Sequence, residues 1–251
     1  MNKVASILEA YNPNDPVLTA RALREYWLEF EPNRGIELIK AEQRAAYEAI
    51  GIPIPVLKSI GNEVARTARK NVIGYIPLVR TLWQECGREG RVIALIIAGA
   101  MELVEPEIII PLLKEMCASC YSWEDADRLA MDALEPIIRK QPDRWLSEIE
   151  SWLADRNKWI RRSAVTVVGR LPMKYPAFVE RCFKLAESLL LDEDEDVKKA
   201  VSFAVRLCAK SNPGKVLTFL ENQVPPANSG ATWVLCDIIR SMDRKTILEF
   251  T

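Results

Sequence analysis

The chain is 251 residues long, 49% hydrophobic and 27% charged, with only 10 glycines, the composition of a protein with a sizeable core rather than a disordered or collagen-like one. Lys and Arg total 34 against 35 Asp and Glu, so the net charge of −1 excludes bulk electrostatic capture of nucleic acid and leaves only a local basic patch. Histidine is absent, which removes Ser-His-Asp and Cys-His catalysis, imidazole metal sites and His-based pH switching together.

In chain order, the segment Met1 to Ala10 has no apolar h-region and is not read as a signal peptide. Apolar residues at three- and four-residue spacing predict helices over Pro16–Phe30, Gly35–Ile50, Pro55–Lys70, Ile76–Cys86, Val92–Val104, Glu107–Cys120 and Glu124–Lys140. The same pattern continues over Arg144–Leu153, Lys158–Leu171, Tyr175–Leu191, Asp196–Lys210, Pro213–Gln223 and Ala231–Ser241. Pro16, Pro55, Pro77, Pro106, Pro142, Pro176 and Pro213 are expected in first turns, where a missing N–H costs nothing. The run Val92–Met101 is too short to span a bilayer and reads as a buried helix. Cys86, Cys117, Cys120, Cys182, Cys208 and Cys236 read as reduced thiols of a cytoplasmic protein. Cys117 and Cys120 have metal-site spacing, but no second pair and no His completes four ligands, so neither metal nor cofactor is expected.

Ile160-Arg161-Arg162-Ser163-Ala164 and Val197-Lys198-Lys199-Ala200-Val201 lie 37 residues apart, each after a polar turn and each followed by a basic residue, Arg170 or Arg206. Helix pairs recurring at roughly 35–45 residues mark a HEAT-type array, in which no pair can bury its apolar stripe alone. The expected fold is therefore all-α: a HEAT-like helical-repeat solenoid, an α-α superhelix with a concave basic cleft. It is expected to form a single domain over 1–251, with N-terminal helices in 1–50, repeats in 51–223 and a C-terminal cap in 224–251. Between Arg156 and Val179 there are six basic residues and no acid, whereas Asp192–Asp196 is five consecutive acids. The basic stretch is read either as a solvated helix face or as a phosphate-binding stripe. The acidic run is read as a solvated turn favouring a helix N-terminus.

Three stretches are more specific: Ser122-Trp123-Glu124-Asp125-Ala126-Asp127, Asn157 to Val165, and Val197 to Arg206. In this order and spacing the chain resembles the AlkD-like alkylpurine DNA glycosylases, HEAT-repeat proteins that excise positively charged N3- and N7-alkylated purines. The resemblance runs from about Leu112 to Val216 and is weaker around Gly51-Ile52-Pro53-Ile54-Pro55. It implies catalytic roles for Trp123, Asp127 and Arg162. Trp123 and Asp127 match a Trp-x-x-x-Asp whose i,i+4 spacing puts both on one helix face. The resemblance further implies DNA contacts from Phe203, where the family has a second cleft Trp, and from Arg206 and Arg170. Lys158, Arg161, Lys198 and Lys199 join them as basic neighbours. Tyr26, Trp27 and Tyr47 are the candidates for an N-terminal cleft aromatic. Asp125 reads as a polar neighbour of Asp127, and Trp83, Trp145, Trp152, Trp159 and Trp233 as helix packing. The implied partner is double-stranded DNA bearing an alkylated purine, bound by a monomer with no membrane association.

The residue types suit this chemistry. An N-alkylated purine is already a cationic leaving group, and its departure leaves an oxocarbenium-like sugar that a carboxylate can stabilise while orienting water. Aromatic faces attract the cation, and Arg holds phosphate with a bidentate fork. The competing reading is a HEAT-like module that binds DNA shape or a protein and does not excise bases.

Overall fold

The computed structural model describes residues 3–32, 49–101, 103–209, 212–223 and 229–242, and no strand occurs among them. Nearly all of the predicted helix Gly35–Ile50 and the candidate aromatic Tyr47 lie outside the described residues. The chain divides into two compact units, Met1–Ala133 and Leu134–Thr251.

In the first unit, α1 (Lys3–Glu9), which the periodicity misses, precedes α2 (Pro16–Trp27). Gly51, at φ 99°, turns the chain into α3 (Ile54–Ala68), whose Leu57, Ile60, Val64, Ala65 and Ala68 form one buried stripe. The Asn71 side chain accepts from the Gly74 N–H at 3.1 Å and starts α4 (Val72–Glu85) five residues before Pro77. Pro77 is therefore inside the helix, not in its first turn. Gly87, at φ 62°, permits an immediate reversal from α4 into α5 (Gly87–Met101). Buried residues surround α5 on every side from Glu89 to Leu95, and it packs on both α3 and α4. Next come α6 (Pro106–Ala118) and α7 (Trp123–Arg128). The chain then winds through a π-helical stretch, Leu129–Leu134, into α8 (Glu135–Lys140). Gly99 of α5 faces that stretch so closely that a Cβ would stand 2.7 Å from the Asp132 carbonyl oxygen.

In the second unit three helix pairs follow α8: α9 (Pro142–Trp152) with α10 (Lys158–Arg170), α11 (Val179–Glu187) with α12 (Glu195–Ala209), and α13 (Pro213–Asn222) with α14 (Ser229–Ser241). The expected Tyr175–Leu191 helix is shorter, because Pro176–Phe178 forms a 3-10 turn before Val179. The second members of the pairs form a row, α10 on α12 and α12 on α14. Gly169 and Ala204 mark the closest approach of α10 and α12, where a Cβ on Gly169 would lie 2.3 Å from the Ala204 Cβ.

Polar side chains join successive pairs at nearly constant sequence separation. In the first unit Arg80 forks Glu115 at 3.0 and 2.7 Å, and the Trp83 indole N–H reaches the Ser119 hydroxyl at 2.8 Å. In the second, Arg181 reaches Glu150 at 2.6 Å and Lys215 reaches Glu180 at 2.9 Å. The exposed pairs contribute little each, about 0–1 kcal/mol. Most stability comes from the apolar rows, at about 1.5–3 kcal/mol per fully buried large side chain.

Candidate nucleic-acid site

In the first unit, Ser122 caps α7 by accepting from the Glu124 N–H at 3.1 Å, so Trp123 is the first helical residue and Asp127 follows one turn later. Trp123 is 51% exposed, an unusual position for an indole, while Asp127 is half-buried. The two residues between them that face α5 are fastened to it. Glu124 accepts from Arg88 at 3.2 and 2.7 Å and from Arg128 at 3.1 Å. Burial pushes the Glu124 carboxyl up, but the two guanidinium groups outweigh it and hold it below its usual value. Asp125 is buried, pairs with Arg91 at 2.6 Å and accepts from the Tyr121 N–H at 3.2 Å. Here burial wins over Arg91 and the Asp125 carboxyl is raised. Asp125 is thus a buried partner of Arg91 on a face other than that of Asp127. The sequence reading passed over Arg88 and Arg91. The available signal was Arg91 opening an otherwise apolar run through Met101: a charge on a helix buried all round must meet an acid.

Among the N-terminal aromatics, Trp27 is fully buried, so it cannot offer a face to a ligand, which corrects its candidacy. Tyr26 is half-buried, edge-on to Phe30 with ring centroids 5.5 Å apart, and the Lys3 ammonium lies 5.1 Å from its ring centre.

In the second unit the basic residues meet carboxylates of the next helix pair. Lys158 reaches Asp196 at 2.9 Å and Asp194 at 3.3 Å, and its ammonium lies 4.4 Å from the Trp159 ring centre. Arg161 forks Asp192 at 2.7 and 2.9 Å and donates to the Asp155 and Arg156 carbonyls. Arg162 is buried and donates to the Asp196 carbonyl. Arg206 reaches Asp237 at 3.1 Å, and the same carboxylate accepts from the Ser202 hydroxyl at 2.5 Å. Lys199 and Glu195 are an exposed pair at 3.8 Å. Lys198, Phe203 and Arg170 are half-buried, and the buried Nε of Arg170 has no hydrogen-bond partner among the described residues. The Asp192–Asp196 turn is therefore not merely solvated. It neutralises Lys158 and Arg161, a correction with a simple cause: the turn of one pair lies against the start of the second helix of the pair before. Asp194 is held below its usual value, the backbone N–H of Asp196 and the Lys158 ammonium outweighing burial.

Two packing expectations also change. Trp83 and Trp152 are buried as expected, but Trp233 is 44% exposed and Trp159 is half-buried beneath Lys158. Of the cysteines, Cys236 alone is exposed. Among the described residues no cluster of Cys, Asp or Glu is arranged to hold a metal, and no helix is long and apolar enough to cross a membrane.

Among the described residues the chain is a succession of packed helices without strands. The chain belongs to the DNA alkylation repair enzyme family, whose family model matches residues 35–234. Among solved structures, it is similar to AlkD2 from Streptococcus mutans, with TM-score 0.64 and 20% identity over 81% of this chain and 97% of that one. It is likewise similar to smu.31 from Streptococcus mutans UA159, with TM-score 0.62 and 20% identity over 76% and 98% of the two chains. A third similar structure is a predicted DNA alkylation repair enzyme from Enterococcus faecalis, with TM-score 0.66 and 16% identity over 82% and 95%. No curated protein matches the chain.

Proposed function

We propose that this protein is a monomeric cytoplasmic DNA glycosylase that releases positively charged N3- and N7-alkylated purines from duplex DNA by hydrolysing the N-glycosidic bond. The observation that carries the reading is the exposed Trp123 indole one helical turn before Asp127, on a helix whose start is fastened to its neighbour. The Trp123 face packs on the deoxyribose and attracts the cationic base. The Asp127 carboxylate stabilises the positive charge that grows on the sugar as the C–N bond breaks, and it orients the water that completes the hydrolysis. The alkylated base leaves as a neutral purine, so no group need protonate it, and a chain without His suffices. Arg170, Arg206 and their basic neighbours hold the DNA backbone, Phe203 supplies a second aromatic face, and Arg162, buried against the Asp196 carbonyl, braces the helices that carry them.

A specific observation supports the rival reading, a repeat module without base excision. Lys158, Arg161 and Arg206 all face carboxylates, and each such pair must open before it can take a phosphate. One experiment separates the two. Wild type and Asp127→Asn are incubated with duplex DNA methylated at N7 of guanine, and the released base is measured under single turnover beside a binding titration. The glycosylase reading expects the variant to be slower by about 10²–10³, the usual worth of one preorganised electrostatic contact, with affinity little changed. Binding without release by wild type would move the case to the module.

A further inference from the structure

Trp123 and Asp127 sit in the first turn and a half of a helix, where the backbone ordinarily frays. Their direction depends on what holds the turn Ser119–Ser122 in front of it. That turn is held by the Trp83 indole N–H, which reaches the Ser119 hydroxyl at 2.8 Å, and by one buried charged side chain. The Arg91 guanidinium lies between two aromatic rings, 4.4 Å from the Trp83 centre and 4.3 Å from the Tyr121 centre. Its Nη1 meets the Asp125 carboxylate at 2.6 Å, and both side chains are 5% exposed. Arg91 also donates to the Ser119 carbonyl at 3.3 and 3.4 Å, while Asp125 accepts from the Tyr121 N–H at 3.2 Å. One residue of α5 thereby grips the turn at both ends and the helix on its inner face. A purely structural ion pair buried this deeply gains little over well-packed apolar residues, because both charges lose their hydration. Its value lies in direction: a planar fork between two rings admits one geometry.

We infer that Arg91, acting through its pair with Asp125 and its stack between Trp83 and Tyr121, is a positioning residue that aims Trp123 and Asp127. The inference rests on the proposed glycosylase reading for its catalytic consequence but not for its geometry. Arg91 is itself buried, so it acts through the helix and not on the DNA. It fixes the helix from which the two reacting side chains project, and a displacement of about 1 Å at a reacting group costs on the order of 10²-fold in rate.

The test compares wild type, Arg91→Lys, Asp127→Asn and the double variant, all full length. Lysine keeps the charge beside Asp125 but lacks the planar face and the fork. Single-turnover release of N7-methylguanine from duplex DNA is expected to fall about 10–100-fold in Arg91→Lys, with a much smaller loss of duplex affinity. In the Asp127→Asn background part of that loss should vanish, because one of the two side chains being aimed has lost its charge. The same loss in both backgrounds, or equal rates for Arg91→Lys and wild type, overturns the inference. If Arg91→Lys does not fold, Tyr121→Leu removes one ring at an exposed position and carries the same comparison. A second readout needs no activity: 5-fluorotryptophan labelling, with the Trp123 resonance assigned by Trp123→Phe. The fluorine resonance of Trp123 should shift and broaden in Arg91→Lys while that of buried Trp152 stays in place. An unmoved Trp123 resonance overturns the inference. If wild type releases no base, the glycosylase reading fails, and this resonance alone decides whether Arg91 aims the helix.

Discussion

Replacing Gly169 by alanine sets two effects of opposite sign against each other. In the middle of an exposed helix the change would stabilise by about 1 kcal/mol, since Ala is the better helix former. At Gly169 the new Cβ would stand 2.3 Å from the Ala204 Cβ, 2.4 Å from its Cα and 3.0 Å from its carbonyl carbon. Carbon atoms in contact need about 3.5–4.0 Å, so α10 and α12 must part by about 1 Å. None of the three atoms belongs to a side chain that can rotate away. Overpacking of this kind costs about 1–3 kcal/mol. Here it also loosens the seam that brings the Cys208 thiol to the Gly169 carbonyl and Arg162 to the Asp196 carbonyl. At the upper end of that cost the clash outweighs the propensity gain by about 2 kcal/mol, and Gly169→Ala should lower the melting temperature by roughly 4–8 °C. Gly61→Ala is the control. Its Cβ would stand 2.9 Å from the Ile96 Cγ2 and 3.0 Å from the Ile96 Cβ, a milder approach than at Gly169, so its melting point should fall by less. Both are read by calorimetry at one scan rate. A Gly169→Ala protein that melts at or above the wild-type temperature would refute the packing argument.

Asp237→Asn should release Arg206 from its carboxylate, so duplex affinity should rise and its salt dependence steepen, measured by fluorescence anisotropy from 50 to 300 mM salt; unchanged affinity would remove Arg206 from the DNA surface. Phe203→Trp should leave base release unchanged or raise it mildly if that face packs on DNA, and a strong loss in the single-turnover assay would speak against the assignment. A thiol reagent should modify one cysteine per chain at once and five slowly; Cys236→Ser should abolish the fast phase, and a surviving fast phase would contradict the burial of the others. Burial pushes the Tyr11 phenol up to about 12, and its hydroxyl donates to the Gly74 carbonyl at 2.6 Å. The folded value exceeds the unfolded one near 10, so this contribution is full below pH 10 and is lost as the pH rises through 12. Urea titrations at pH 9 and 11.5 should show wild type losing more stability than Tyr11→Phe; equal losses would contradict the burial effect.

Much of the fold was legible because a helix that buries one stripe must repeat its apolar residues every three or four positions. Val197, Ala200, Val201, Ala204, Val205 and Cys208 do so, and α12 begins within a residue of the expected start. Periodicity does not register a change of winding. The π-helical stretch Leu129–Leu134 keeps its apolar face and reads as ordinary helix. Nor does it separate Pro77 from a first-turn proline, because Asn71, the residue that begins the helix, looks like any polar loop residue. The Trp123–Asp127 pair was legible because one turn of helix relates its members. The pairing of Lys158 with Asp194 and Asp196, of Arg161 with Asp192 and of Arg206 with Asp237 was not. Those partners are 31 to 38 residues apart, and only the stacking of one pair on the next brings them together.

The polar contacts between successive helix pairs have a kinetic side. Arg80–Glu115, Arg88–Glu124 and Arg91–Asp125 in the first unit close loops of 34 to 36 residues. Arg161–Asp192, Lys158–Asp196 and Ser202–Asp237 in the second close loops of 31 to 38. Closure entropy grows only with the logarithm of loop length, so within each unit every rung costs nearly the same to form first. Neither unit needs a privileged nucleus: any adjacent two pairs can dock and their neighbours add on by the same short step. Such chains fold quickly, because no contact waits for distant ends to meet. They also come apart locally, so the terminal pair α13–α14 should exchange its amide hydrogens faster than α10 and α12 while the rest of its unit stays folded.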